Sequence, residues 1–198
     1  MLLEEKQKLY QEFFTLPLNL NVNLTPFALD EKIPNEMEFL AEMPYSFKLA
    51  TQVNSIEADS LRAVGSLSNQ SEELFNFLKL QSQKIDLIMS YIVMQEDDQE
   101  QRYITKEFGA GGFSINLNQD WHIDQVFRLK IFMPEEASAV YCYVEIVEKK
   151  PFEQGFEYKF VYSQIRDEDR EILVRTALHQ QSKHLRKLAQ EKSNQTEK

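Results

Sequence analysis

The alternation of apolar and polar residues divides the chain into a mainly helical first half and a β-rich second half. Residues 1–14 have helical spacing, with a broad apolar face formed by Leu3, Leu9, Tyr10, Phe13 and Phe14. In residues 18–24, leucine or valine alternates with asparagine, which is the period of a half-buried strand. Prolines punctuate this region, so we expect a short strand at a sheet edge. Residues 35–66 predict one or two further helices, interrupted near Pro44.

The strongest periodic signal runs from residue 67 to residue 95 and predicts one long helix. Steps of four and three residues alternate along it, which is the a/d ladder of a heptad repeat. A second apolar row lies on another face. Such a helix could be packed wholly inside one domain, but glutamines in the ladder are of the register-fixing kind found between helices. We predict a homo-oligomer through the long helix, with an interface formed by Leu67, Leu74, Leu78, Gln81, Ile85, Ile88 and Ile92.

From Arg102 onward the period changes to two, and five strands are predicted: "RYITKEF", "FSINL", "VFRLKIFM", "AVYCYVEIVE" and "FEYKFVYSQI". Short connections between them favour an antiparallel sheet or small barrel. A closing helix has acidic residues in its first turn and basic residues near its end, which suits the helix dipole. The predicted fold class is α+β. We expect a helical region over 1–100, a β-barrel with a C-terminal helix over 101–190, and a polar tail over 191–198.

The charge balance narrows the range of partners. The formal net charge is −10, so we expect neither DNA nor RNA binding, which needs a dense basic surface, nor docking to anionic lipid. No long apolar run predicts membrane insertion. The N-terminus is acidic where a secretory signal would be basic, and Cys142, the single cysteine, allows no internal disulfide. These features predict a cytoplasmic protein.

Residues suited to catalysis are sparse. The chain contains three histidines, and His179 and His184 are five residues apart on a predicted helix, which does not place them on one metal-binding face. Cys-x-x-Cys, His-Glu-x-x-His and Gly-x-Ser-x-Gly motifs are absent from the sequence. We therefore expect a protein that is not an enzyme and that holds neither a metal nor a cofactor.

Three of the five glycines fall within the stretch "EFGAGGFSI", residues 107–115. Glycine permits positive φ angles or a close approach of the backbone to another group. A dinucleotide or ATP loop would need G-x-G-x-x-G opening a helix, or a Walker lysine, and neither is present. One interpretation is therefore a tight hairpin turn that uses glycine for positive φ. The other interpretation is a turn whose backbone binds a ligand.

The order of these features resembles the PilZ domain, a small β-barrel family of bacterial receptors for cyclic di-GMP. The family's turn usually has the pattern Asp/Asn-x-Ser/Ala-x-x-Gly, and Glu107-x-Gly109-x-x-Gly112 is in register with it. The later strands and the closing helix are similar in order over residues 101–190. The heptad helix that leads directly into the barrel resembles the atypical PilZ subgroup, some members of which assemble through that helix.

The resemblance implies cyclic di-GMP as the candidate ligand. Family members bind it through an Arg-x-x-x-Arg segment ahead of the first strand, and here that window offers only Arg62 and Arg102, neither followed by arginine four residues later. The missing segment weighs against direct binding. If the ligand is bound, the resemblance and the spacing point to Arg102, Lys106, Glu107, Gly109, Ala110, Gly111 and Gly112.

Two hypotheses follow from the sequence. The first is a bacterial signalling receptor or adaptor of atypical PilZ type in cyclic di-GMP pathways, which works through protein–protein interaction with a partner that the sequence does not name. The alternative is a ligand-free oligomeric scaffold whose working surface is the helix seam. A thermal shift on adding cyclic di-GMP is expected for a direct receptor and not for a scaffold.

Overall fold

The structure is a computed structural model that describes residues 3–28, 30–65 and 72–196. Its α-helices are α1 (Leu3–Glu12), α2 (Glu36–Glu42), α3 (Tyr45–Gly65), α4 (Glu72–Met94) and α5 (Asp167–Thr196). Short 3-10 turns occupy Gln99–Gln101 and Pro134–Glu136. Within the described ranges, no helix combines the length and the apolar character needed to cross a bilayer.

Among the described residues, eight strands form one sheet: β1 (Thr15–Pro17), β2 (Asn21–Pro26), β3 (Arg102–Ile104), β4 (Glu107–Gly109), β5 (Gly112–Leu117), β6 (Val126–Met133), β7 (Ser138–Phe152) and β8 (Gly155–Gln164). Their order across the sheet is β1-β4-β5-β8-β7-β6-β2-β3. The pairs β1–β4, β4–β5, β5–β8, β7–β8 and β2–β6 are antiparallel. The predicted α+β class is confirmed, with a helical N-terminal region, an antiparallel sheet and a C-terminal helix.

The sheet differs from the sequence prediction at two places. It recruits β1 and β2 from the first half of the chain, where a single short strand was expected, and β2 lies inside the sheet between β6 and β3. The predicted strand "RYITKEF" is two strands, β3 and β4. They separate because the buried Thr105 hydroxyl donates to the Leu18 carbonyl oxygen at 2.5 Å, and the Lys106 amide donates to the Ser114 carbonyl oxygen at 2.7 Å.

The chain divides into two compact units, each built from separate stretches of sequence. The first unit contains Met1–Asn19, Ile104–Val126 and Tyr143–Lys198. Its strands are β1, β4, β5, β8 and most of β7, and the rings of Phe113 and Phe160 stack at 4.8 Å between centroids on β5 and β8. Both rings are fully buried, so this aromatic pair lies in the core of the unit.

Helix α5 begins in the first unit with a paired charge. The buried carboxylate of Asp169 accepts two hydrogen bonds of 2.7 Å from the guanidinium of Arg166. A bidentate pair of this kind fixes geometry as well as charge, and the acidic first turn suits the helix dipole. Arg166 thus anchors the start of the helix.

The second unit contains Leu20–Tyr103 and Phe127–Cys142. Helix α2 begins with a capping box, in which the Asn35 side chain accepts from the amides of Met37 and Glu38 and the Glu38 carboxylate accepts from the Asn35 amide. Pro44 then precedes α3, consistent with the predicted interruption. In the core of this unit the rings of Phe47 and Phe132 meet edge to face at 5.9 Å.

Candidate functional site

The glycine cluster connects β4 and β5 at the place predicted for it, in the first unit. Phe108 and Phe113 form the last cross-strand pair before the turn. Gly109 pairs with Thr15 on β1, and its carbonyl oxygen accepts from the Tyr162 hydroxyl at 3.3 Å. Gly109 to Gly112 are all buried, so in this structure the turn is covered by protein.

The structure contradicts the interpretation that these glycines supply positive φ, because no glycine among the described residues has a positive φ. Glycine is needed at these positions because the neighbouring atoms leave no room for a Cβ atom. A Cβ atom on Gly109 would lie 2.5 Å from the Phe14 carbonyl oxygen, and one on Gly112 would overlap the Phe160 carbonyl oxygen. On Gly111 it would lie 2.8 Å from the Leu9 carbonyl oxygen and 2.9 Å from Cδ2 of Phe13. Each position is too close to other backbone to accept a side chain.

Helix α1 is the element that covers the turn. Tyr10 is the buried residue of α1, and its ring lies against Gly112. The ammonium of Lys6 pairs with the carboxylates of Glu145 and Asp124, the latter at 2.9 Å. The Gln7 amide donates to the Val147 carbonyl oxygen at 3.0 Å. One aromatic ring and a few polar contacts therefore hold α1 over the glycines.

Carboxylates near the covered turn shift the pKa of two residues of α1. Burial raises the pKa of the Tyr10 hydroxyl, and the negative charges of Glu107, Glu157 and Glu148 raise it further. Burial alone would lower the pKa of Lys6, but its hydrogen bonds to Glu145 and Asp124 outweigh that effect and raise it. Carboxylates thus influence both groups, although Glu148 and Glu157 are themselves paired with lysines.

The basic residues near the turn are held in ion pairs. The ammonium of Lys106 lies 2.8 Å from the Glu157 carboxylate and 5.4 Å from the ring centre of Phe152. Lys159 lies 2.8 Å from Glu148 and sits over the Tyr10 ring. A phosphate at this turn would have to compete with these carboxylates for the lysines.

Arg102, the other predicted cationic contact, belongs to the second unit. Its guanidinium pairs with Asp97 at 2.8 Å and 3.1 Å. The structure thus gathers Glu107 and Gly109 to Gly112 at one turn with Lys106 beside it, while Arg102 makes its contacts on the other unit. The ligand-binding set stays a prediction.

The predicted oligomer interface lies on α4 in the second unit, except for Leu67, which is outside the described residues. Four of its apolar members are exposed, among them Leu74 at 55% and Ile88 at 59%. Gln81 and Ile92 are partly exposed. The residues that α4 buries, Met89 and Val93, lie beside the heptad row. The heptad residues themselves are largely exposed, although Leu78, Gln81 and Ile85 also face α3 of the same unit.

An apolar groove of about 410 Å³ lies between α3 and α4. Three residues of the heptad face, Leu78, Gln81 and Ile85, form one side of the groove. Val53 and Ile56 of α3 form the other side. Burial raises the pKa of Glu57 in the groove, and the nearby charge of Asp86 raises it further; burial also raises the pKa of Asp86. The groove extends the exposed apolar surface of α4 onto α3.

Sequence reasoning found the glycine turn and the α4 face but missed the role of α1. The apolar face of residues 1–14 was visible, and Tyr10 and Phe13 are two of its members. Nothing in the local pattern indicates which surface that face covers. Contacts between α1 and the turn join residues that are far apart in the chain, and only the folded structure shows them.

Comparison with known proteins supplies the family context. A family model described as PilZ domain matches residues 79–178, half of the chain. The matched region starts within α4 and ends within α5. No curated protein matches the chain.

Solved structures with similar folds include two at 13% sequence identity. A Xanthomonas campestris protein, described as a tetrameric PilZ domain self-assembled via a helical bundle, has a TM-score of 0.54, with 92% of this chain and 97% of that chain covered. Bacillus subtilis MotI/DgrA, an inhibitor of motility, has a TM-score of 0.45, with 87% of this chain covered. The chain spans only 51% of MotI/DgrA. At this identity the Xanthomonas likeness shows the fold.

Proposed function

The chain belongs to the PilZ domain family, and on this premise we propose that it is a signalling adaptor of a cyclic di-GMP pathway that self-associates through the exposed face of α4. In this proposal the protein works through protein–protein contacts, and the oligomer presents copies of the domain to a partner. The observation that carries it is the exposure of the heptad face, Leu74, Leu78, Ile85 and Ile88.

Exposed apolar residues in a regular row need a partner surface. Single exposed leucines are ordinary, but a contiguous apolar patch marks an interaction site. Here the patch follows the a/d ladder and continues into the α3–α4 groove. A second copy of the same helix offers a surface of matching spacing, since a and d residues pack knobs into holes. The Xanthomonas protein with the similar fold is described as assembling through a helical bundle, which supports a second copy as the occupant.

Direct binding of cyclic di-GMP has less support in this chain than self-association through α4. Gly111 and Gly112 of the turn lie against α1 and Phe13, Gly109 lies against Phe14 and Thr15, and carboxylates pair with the neighbouring lysines. We therefore expect no binding of cyclic di-GMP at this turn while α1 stays in place. Calorimetry with the ligand checks this: heat at micromolar ligand, lost on Lys106→Ala, would establish a receptor.

The seam is tested by charge substitution on α4. Leu78→Glu together with Ile85→Glu places carboxylates on the proposed interface, and burying unpaired charge there is costly. The wild-type chain is expected to show a multiple of 23.4 kDa in light scattering, and the variant a single 23.4 kDa mass. Circular dichroism should be unchanged because both positions are already exposed.

Gln83→Glu is the matched control. It introduces the same carboxylate at an exposed position on the opposite side of α4. Its mass should equal that of the wild type. A monomeric wild-type chain, or a double variant that keeps the full mass, would remove the proposed interface.

A further inference from the structure

We infer that the surface around Gly111 is a helix-docking site that α1 fills reversibly, and that a helix of a partner protein with one lysine and two aromatic residues, spaced as Lys6, Tyr10 and Phe13 are, competes with α1 for it. This inference is independent of the α4 interface. It concerns the first unit alone and follows from the contacts between α1 and the β4–β5 turn.

The site is shaped for a helix backbone. Of the atoms nearest to a Cβ built on Gly111, all three belong to Leu9 and Phe13, at 2.8 Å to 3.3 Å. A side chain at this position would therefore push against the helix end and not against the sheet. The absence of side chains at Gly111 and Gly112 lets α1 approach the turn closely.

The site also selects the charge of its occupant. Asp124 and Glu145 receive the ammonium of Lys6, one helical turn before Tyr10. Glu148 and Glu157 near the Tyr10 ring are paired with Lys159 and Lys106, so the charge preference of the site rests on Asp124 and Glu145. An amphipathic helix with a lysine, then an aromatic residue four positions later and another three beyond, matches this surface in charge and in shape. Lys6, Tyr10 and Phe13 have that spacing.

Helix α1 is held weakly enough to leave. It spans ten residues, a length that is marginal for a helix by itself in water. Within Leu3–Glu12 the buried residue is Tyr10. The Tyr10 hydroxyl is buried with no hydrogen-bond partner among the described residues, so docking leaves a polar group unsatisfied. Local release of α1 thus breaks few favourable contacts while the sheet stays folded.

The test measures binding in trans. The full-length variant Lys6→Glu, Tyr10→Ser weakens the internal occupant and leaves the docking surface unchanged. A fluorescent peptide of residues 1–14 is then added, and its anisotropy is followed. We expect the peptide to bind this variant at least about tenfold more tightly than the wild type, because the wild-type site is already filled.

Two controls locate the binding. Adding Gly111→Val to the variant places a side chain where Leu9 and Phe13 of the peptide would lie, so peptide binding should be lost. A peptide carrying Tyr10→Ser should not bind the variant. Peptide binding that survives Gly111→Val, or no binding to a variant whose circular dichroism is native, would overturn the inference.

Hydrogen exchange in the wild-type chain gives a second, independent readout. The amides of α1 should exchange much faster than those of β5 and β8, since α1 leaves without global unfolding. If the variant fails to fold, hydrogen exchange in the wild-type chain still tests the inference. Amides of α1 that exchange no faster than those of β5 and β8 would overturn it. Light scattering of the same variant reports the α4 interface separately, so failure of one proposal is distinguishable from failure of the other.

Discussion

The glycine turn of the first unit and the heptad face of α4 in the second unit make an instructive pair. Both stood out in the sequence as candidate functional surfaces, one for its small residues and one for its large apolar residues. Residue type alone suggests that the small residues are accessible and the large apolar residues are buried, and the folded chain shows the reverse. The turn is buried under α1, whereas Leu74 and Ile88 of α4 are mostly exposed.

This contrast shows that a residue pattern can indicate a close contact but does not identify the residues on the other side of that contact. Glycines at 109, 111 and 112 are required because another backbone lies within about 3 Å of where a Cβ would stand. That backbone belongs to the chain itself. Leucines and isoleucines on α4, by contrast, are left exposed in a single copy, and we propose a second copy as their partner. Four predictions test this difference between the two surfaces.

The largest effect is expected at Gly112. Gly112→Ala places a Cβ against the carbonyl oxygen of Phe160 on β8 and 2.7 Å from Cδ2 of Tyr10, so the sheet itself must move. Overpacking of this kind should lower the free energy of unfolding by about 3 kcal/mol. Gly111→Ala is the matched control and should cost about 1 kcal/mol, because only α1 has to shift. Urea unfolding measures both, and equal losses would contradict the distinction.

A smaller effect separates the covered surface from the uncovered one. Tyr10→Ala removes a buried ring and should cost about 2 kcal/mol of unfolding free energy. Ile88→Ala, at a mostly exposed position, should change it by less than about 0.5 kcal/mol. Both are measured in the Leu78→Glu, Ile85→Glu background so that assembly does not contribute. In that background, a large loss of unfolding free energy on Ile88→Ala would mean that the heptad face of α4 is covered within one copy.

The pH dependence of stability tests the α3–α4 groove. Burial raises the pKa of Glu57 and of Asp86, and the charge of Asp86 raises that of Glu57 further. The folded state then binds more protons than the unfolded state, so stability falls as the pH rises from the ordinary carboxyl pKa of about 4. Glu57→Gln with Asp86→Asn should remove this slope, a change of less than about 1 kcal/mol since the groove is partly solvated. Urea unfolding of both proteins from pH 4 to 7 checks it: the stability of the wild type relative to the variant should fall as the pH rises, and a difference that does not change with pH would refute it.

The smallest effect concerns the hydroxyl of Tyr10. Tyr10→Phe keeps the ring and removes a buried oxygen that has no hydrogen-bond partner among the described residues. Because the oxygen gains nothing in the folded state and loses its water, the variant should be as stable as the wild type or more stable by up to about 1 kcal/mol. Thermal and urea unfolding measure this. A loss of more than about 1 kcal/mol would show that the hydroxyl is satisfied in solution.

Local periodicity predicted much of the fold because it reflects local physics. The heptad ladder located α4, and period-two alternation located β5 to β8 within a few residues. The same rule joined β3 and β4 into one strand, because the hydrogen bond from Thr105 to Leu18 that interrupts them comes from a distant segment. It also gave no sign that β2 lies between β6 and β3, since strand order depends on which segments meet.

Side-chain size and spacing act within a few residues, so the printed sequence was sufficient to predict the types of element, the heptad row of α4 and the place of the glycine turn. Three outcomes appear only in the folded chain: α1 closes over that turn, Lys106 pairs with Glu157, and the face carrying Leu74 and Ile88 is left open. Those outcomes depend on which surfaces meet across long separations in the chain, and a pattern of spacing along one segment contains no information about its neighbour in space.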